Sequence, residues 1–358
     1  MDIISTKNDI TTLLLGEDIQ DIRTAADIIK NGGLVAFPTE TVYGLGGDAL
    51  SADSSKKIYA AKGRPSDNPL IVHIADIEAV YKLASEVSER ARALMEAFWP
   101  GPLTVILPKK EIVPDETTGG LDTVAIRMPS HPAALSLIRE SGTYIAAPSA
   151  NTSGRPSPTT AQHVEEDMTG RIDAIIDGGP VGIGIESTIV DMTSDIPTIL
   201  RPGYITKSKL EDIIGEVEID KAILTPDPDI RPKAPGMKYT HYAPKGKLTI
   251  IEDSKNPGEV TGNVIAKINE LLSSAPDNSK IAVLTTREHE KDYNTDSIIL
   301  LGDKKNNTTI ASRLYAALRE CDTIGAELIY SESICQDELG GAVMNRLLKA
   351  AGQRVIHV

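Results

Sequence analysis

Leu34-Val-Ala-Phe-Pro-Thr-Glu-Thr-Val-Tyr-Gly-Leu-Gly46 carries the first decision about this chain. Four apolar residues, Leu34 to Phe37, read as a short buried strand that Pro38 stops. The residues after it are polar, small and turn-forming, and loops that leave strand ends are where α/β sheets build their sites. Upstream, Ile19, Ile22, Ala26 and Ile29 recur at helical spacing before Asn31-Gly32-Gly33, so the chain is expected to open with a helix.

The same alternation continues. Strand-like runs are Leu70–Ile74, Leu103–Leu107, Val124–Met128, Tyr144–Ala147, Ala174–Ile176 and Thr188–Val190. Helical patterns cover Ser54–Ala61, Ile77–Phe98 with a break, Pro132–Glu140 and Thr160–Asp167. Because the two types do not alternate strictly, a twisted mixed α/β sheet is expected over residues 1–215. Residues 216–246 read as a semi-rigid linker, with four prolines between Thr225 and Gly236. Tyr239, His241 and Tyr242 are unusual there, since aromatic residues make up only 4% of the chain. Residues 247–358 return to a βαβ rhythm: strands Leu248–Ile251, Ile281–Leu284, Ile298–Leu301, Leu328–Tyr330 and Val355–Val358, with helices Val260–Leu272, Ile310–Cys321 and Ala342–Ala350. That predicts a smaller Rossmann-like, three-layer domain with a parallel sheet.

Composition narrows the function classes. The 358 residues are 41% hydrophobic and 25% charged, enough for a sizeable core. A net charge of −14 argues against a broadly basic nucleic-acid surface. No apolar run reaches the roughly 18 residues of a membrane span, and the N-terminus lacks a secretory pattern. Two cysteines, Cys321 and Cys335, are too few for a disulfide framework or a zinc cage. Cys321 falls on the apolar face of its helix with Ile310, Leu314 and Leu318, and Cys335 in a polar turn. A cytoplasmic location is the expectation. Walker A, GxGxxG, HExxH and GxSxG patterns are absent, and Gly182-Ile-Gly184 reads as a turn.

Chemistry-bearing residues concentrate in five clusters of the first domain: Pro38–Gly46, Lys62–Leu70, Pro148–Thr159, Glu186–Thr188 and Leu200–Tyr204. Two cations beside small hydroxyls and an amide suit a polyanion such as a nucleoside triphosphate. Any one of these clusters alone would be an ordinary surface loop.

Lys62-Gly-Arg64-Pro-Ser-Asp-Asn-Pro-Leu70, Pro148-Ser-Ala-Asn-Thr-Ser-Gly154 and Glu186-Ser-Thr-Ile-Val-Asp191 together resemble the YrdC-like family. Pro235-Gly-Met-Lys-Tyr-Thr-His-Tyr-Ala-Pro244 and Ala342-Val-Met-Asn-Arg-Leu347 match its long two-domain form, the threonylcarbamoyl-AMP synthases. The likeness runs from about Ile19 to Val358. It implies condensation of L-threonine, bicarbonate or CO2, and ATP into L-threonylcarbamoyladenylate with release of pyrophosphate. Partner proteins then transfer the threonylcarbamoyl group to tRNA. The family's catalytic tetrad would fall on Lys62, Arg64, Ser149 and Asn151. Its ATP contacts would fall on Arg64, Asn68, Thr123, Ser149, Ser157, Arg201 and Tyr242, and its threonine contacts on Thr41, His73, Arg127 and Ser187. Ala147 stands where some members carry a hydroxyl.

The residue types fit that chemistry on their own terms. In-line displacement at a phosphate asks for positioning and charge neutralisation, which Lys62, Arg64 and Arg201 can supply, with Mg2+ held mainly by the phosphates. Arg127 can pair bidentately with a carboxylate. His73 is a hydrogen-bond partner or a base for the amine. The linker aromatics suggest a lid over the site, with Tyr242 on the phosphates. Two other readings stay open: an RNA-binding module with weak tRNA contact, and another carbamoyl-adenylate-handling enzyme of the same fold.

Overall fold

The computed structural model describes residues 2–7, 10–223, 234–235, 242–334 and 337–358. Tyr239, His241, Cys335 and most of the proline-rich stretch lie outside the described residues. Contacts divide the chain into two compact units. The first is Met1–Ser153, Ser157–Gly182 and Glu186–Tyr239; the second is Gly154–Pro156, Ile183–Ile185 and Thr240–Val358.

The first unit is built on one twelve-stranded mixed sheet. In spatial order its strands are Asp2–Lys7, Ile10–Leu15, Ala174–Ile176, Val35–Phe37, Gly44–Asp48, Ile145–Ala147, Ile71–His73, Thr123–Arg127, Leu103–Pro108, Thr188–Asp191, Thr198–Arg201 and Glu218–Ile219. Parallel and antiparallel pairs mix, as the irregular alternation of elements predicts.

Two local expectations fail. The chain opens with the hairpin Asp2–Lys7/Ile10–Leu15 rather than a helix; Ile10–Leu15 is fixed by parallel pairing with Ala174–Ile176, some 160 residues away. Gly44–Asp48, read as part of a loop, is an inner strand. Its glycines give no strand signal, but they permit close approach. A Cβ on Gly46 would lie 2.7 Å from Ile145 Cγ2 and 2.8 Å from Phe37 Cε1. The break in Ile77–Phe98 is real: Glu89–Phe98 forms a separate helix capped by Ser88.

Side-chain alternation sorts the sheet into two faces. Leu34, Ala36, Leu45, Val72, Val105, Ile126 and Val190 belong to the main core, which also takes in Ile58, Leu94, Val164 and Leu210 from four helices. On the other face, helices Ile19–Lys30 and Pro132–Ser141 pack over Leu15, Val35, Phe37, Ile145, Ala147 and Ile176. Beyond that cover the same face carries a small apolar floor of Ile71, Ile106, Ala125, Ile189 and Leu200, against which Ala234 is buried.

The second unit has an all-parallel sheet ordered Ile298–Gly302, Ile281–Thr286, Leu328–Glu332, Lys247–Glu252, Val355–His357. Val264 and Ile268 of helix Gly262–Ser273 pack with Ile251, Val283 and Tyr330. Helices Asn307–Thr323 and Glu338–Ala350 follow crossovers running the other way across the sheet, and right-handedness assigns them to the opposite face. Cys321 is buried, and burial pushes its thiol up to about 12.

Candidate active site

The apolar floor marks where the site lies. Counting by twos from Ile71, Ala125, Ile106 and Ile189 puts His73, Thr123, Arg127, Thr104 and Ser187 on that same face. Four of the expected site positions, together with Thr104, therefore share one surface because of the pleat.

At its covered margin, the loop after Phe37 folds on itself. Thr39 Oγ1 donates to Val42 O at 2.6 Å and lies 2.9 Å from Thr41 Oγ1. Arg127, 4% exposed at the end of its strand, donates from Nη1 to Thr41 Oγ1 at 3.0 Å. Its Nη2 is 2.7 Å from Glu40 Oε1, an ion pair without hydrogen-bond alignment, and Glu40 Oε2 accepts from Ser130 N at 3.1 Å. Nε and Nη2 of Arg127 are buried and make no hydrogen bond. These two nitrogens form the edge with which a guanidinium takes a carboxylate side-on.

His73 is paired in register with Arg127 and packs edge-on to Phe37, with ring centroids 5.9 Å apart. Burial, with the Arg127 charge adding to it, pushes its pKa down to about 3. The imidazole is thus neutral near pH 7. The Ile71 carbonyl, 3.1 Å from Nδ1, can only accept, which assigns the proton to Nδ1 and leaves Nε2 as an acceptor. So weak a base suits hydrogen bonding better than proton removal.

Lys62 ends helix Ala52–Lys62, and Gly63, at φ 62°, turns the chain through the left-handed region. Lys62 is 3% exposed. It donates to Ser149 O, to Asn151 O at 2.5 Å and to Asn151 Oδ1 at 3.4 Å. Ser149 Oγ in turn donates to Asn151 Oδ1 at 2.6 Å. Lys62 therefore holds the loop that carries Ser149 and Asn151. Arg64, half-buried, donates from Nη2 to Asn68 O and Pro69 O, each at 3.1 Å, and so ties its own loop. Asn68 is 1% exposed with Oδ1 lacking a hydrogen bond.

Ser157 is fully buried and donates to Glu186 Oε1 at 2.6 Å. Arg201 donates from Nε to Ser187 O and from Nη2 to Ser187 Oγ, both at 3.0 Å, and Ser187 Oγ lies 2.7 Å from Thr104 Oγ1. Gly203 lets the chain after Arg201 pass this close, since a Cβ there would meet Thr188 N at 2.6 Å. Backbone bonds join the groups: Ala150 N donates to Tyr43 O at 2.8 Å and Tyr43 N to Pro158 O at 2.9 Å.

Of the thirteen positions expected from sequence, twelve lie in the first unit, and Thr123 stands half-buried at the start of its strand. Tyr242 belongs to the second unit, where its ring packs on Tyr315 at 5.0 Å. Sequence reasoning assigned no role to Glu40 or Thr104. The only sequence signal for Glu40 was its place in the cluster after Phe37; Thr104 gave none, being one residue of an apolar strand.

Comparison with known proteins agrees with this architecture. A family model described as telomere recombination, covering Sua5, YciO and YrdC proteins, matches residues 27–203. A second, described as the threonylcarbamoyl-AMP synthase C-terminal domain, matches residues 205–352. The chain is 50% identical over 350 residues to threonylcarbamoyl-AMP synthase of Bacillus subtilis, covering 97% of each. It is 49% identical over 338 residues to that of Pyrococcus abyssi, covering 94% of this chain and 96% of the relative. The crystal structure of P. abyssi Sua5 complexed with L-threonine superposes with a TM-score of 0.90 at 47% identity, over 97% of this chain and 99% of that one. The class is thus the two-domain Sua5 architecture. The chain belongs to the threonylcarbamoyl-AMP synthase family.

Proposed function

We infer that the chain makes L-threonylcarbamoyladenylate from L-threonine, bicarbonate or CO2, and ATP, releasing pyrophosphate, in the pathway to N6-threonylcarbamoyladenosine in tRNA. The observation that carries this reading is end-to-end likeness to the B. subtilis enzyme at 50% identity. The Pyrococcus abyssi relative crystallised with L-threonine supports the amino acid.

The open edge of Arg127 takes the threonine carboxylate, Thr41 holds that guanidinium in place, and Ser187 and His73 Nε2 offer hydrogen bonds to the remaining polar atoms. The amine, once neutral, adds to CO2 and gives up a proton, forming a carbamate anion. A carbamate oxygen attacks the α-phosphorus of ATP as the bond to pyrophosphate breaks. Charge builds on phosphate oxygens during that displacement, and Arg64 and Arg201 are the cations to offset it. Lys62 acts one step back by fixing Ser149 and Asn151. Mg2+ fits as a partner of the phosphates, supplying charge neutralisation there. The carboxylate of Glu186 is engaged otherwise, with Ser157.

The linker serves in this reading as the lid; it starts later than residue 216, because Glu218–Ile219 is the edge strand of the first unit's sheet. Support comes from Ala234, buried on the apolar floor, and from Pro235 O, 3.5 Å from Arg201 Nη1. Closure there excludes water from a hydrolysis-prone mixed anhydride. The product goes on to the proteins that transfer the threonylcarbamoyl group to tRNA.

Pyrophosphate release is the direct test. It should require threonine and bicarbonate together and yield a product with the mass of threonylcarbamoyladenylate. Release independent of threonine would sink the reading.

A further inference from the structure

Resting on the assignment of Arg127 to the threonine carboxylate, we propose that Glu40 receives the amino group of threonine, making Arg127 and Glu40 a receptor for the amino-acid zwitterion. Two buried groups of opposite charge stand side by side with hydrogen-bonding capacity to spare. On the cation these are Nε and Nη2 of Arg127. On the anion it is Oε1 of Glu40, buried, 2.7 Å from Nη2 and accepting no hydrogen bond, while Oε2 is committed to Ser130 N. A buried carboxylate oxygen without a donor is costly, as is a buried guanidinium edge without an acceptor. One ligand relieves both: a carboxylate and an amine on a single carbon.

The charges also balance. Arg127 and Glu40 sum to zero, and His73 is neutral near pH 7. A zwitterion entering this place adds no net charge to a buried site, whereas a simple carboxylate adds one. Thr41 fixes the guanidinium through Nη1, leaving the other edge to the ligand, and Ser130 N fixes the carboxylate through Oε2. Because a carboxylate oxygen accepts from an ammonium or from a neutral amine, the contact survives the loss of the proton that precedes attack on CO2.

The test compares L-threonine with (R)-3-hydroxybutanoate, which keeps the carboxylate and hydroxyl and has hydrogen in place of the amine. Threonine is read by its KM in pyrophosphate release, and the analogue by its inhibition constant in the same assay. Glu40→Gln should raise the threonine KM at least tenfold and leave the inhibition constant unchanged or lower, because the analogue's carboxylate then meets an uncompensated guanidinium. Glu40→Asp, which keeps the charge but draws the oxygens back, should move threonine the same way by less, and it carries the test if Glu40→Gln does not fold. Equal weakening of both ligands would overturn the proposal, because Glu40 would then act only by holding Arg127. An unchanged threonine KM would overturn it as well. Arg127→Ala separates the underlying assignment: if it weakens neither ligand, the carboxylate does not sit on Arg127, and that reading fails whatever Glu40 does.

Discussion

His73 and Arg127 occupy paired positions on adjacent parallel strands, and both side chains are buried on the same face of the sheet. A cation beside an imidazole, away from water, makes protonation of the ring costly. Its pKa falls from 6.5 to about 3, burial being the larger cause.

That shift makes stability depend on pH in one direction. Above pH 6.5 the ring is neutral in both folded and unfolded chains. Below 6.5 the unfolded ring takes up a proton that the folded ring refuses until about pH 3. This contribution to stability is therefore lost as pH falls, by about 1.4 kcal/mol per unit. Denaturant unfolding at pH 7.5 and 5.0 should show the wild type losing about 2 kcal/mol more than His73→Gln. Equal losses would mean that His73 protonates normally in the fold.

Lys62→Met should cost stability as well as activity. The substitution leaves carbonyls of Ser149 and Asn151 buried without their ammonium donor, a loss of about 3 kcal/mol. Turnover should fall on the order of a hundredfold because Ser149 and Asn151 lose their positions. A protein of wild-type stability but no activity would show that Lys62 works on the ligand rather than on its loop.

Arg64→Ala should separate differently. Its guanidinium holds Asn68 O and Pro69 O, so the loop leans on it. Being half-buried, it should cost only about 1 kcal/mol of stability, against about a hundredfold in rate from the lost phosphate contact. Turnover within threefold of wild type would remove Arg64 from the mechanism.

Selectivity for threonine should rest on its hydroxyl. Ser187 and Thr41 are buried hydroxyls already engaged with Arg201 and Arg127, so both sit in fixed positions. Valine puts a methyl where these fixed hydroxyls expect a hydrogen-bonding group, and kcat/KM should fall on the order of 10^4-fold. Comparable use of valine would show that the pocket does not read the hydroxyl.

The second unit was legible almost element by element. Its parallel strands are continuous apolar runs and its helices carry clear apolar faces, so local pattern and tertiary role coincide. The first unit was less open to reading. Gly44–Asp48 is a strand because Phe37 and Ile145 need glycines beneath them, and Ile10–Leu15 is one because Ala174–Ile176 lies alongside. Neither reason is local. For the site, the motifs marked Lys62, Arg64, Ser149 and Asn151 as chemistry, but not that Lys62 spends its charge on the distant loop of Ser149 and Asn151.

Local order alone determined most of the short strands, their polar exits, the cations within them and the two-part plan of the chain. Spacing along the chain reports which face a side chain takes and where a segment stops. Which face is left uncovered is a property of packing between distant elements. Helices Ile19–Lys30 and Pro132–Ser141 cover part of one side of the sheet, and the floor of Ile71, Ala125, Ile106 and Ile189 lies beyond them. Only that arrangement sets Glu40, from the first loop, against Arg127, eighty-seven residues later, and buries their charges together.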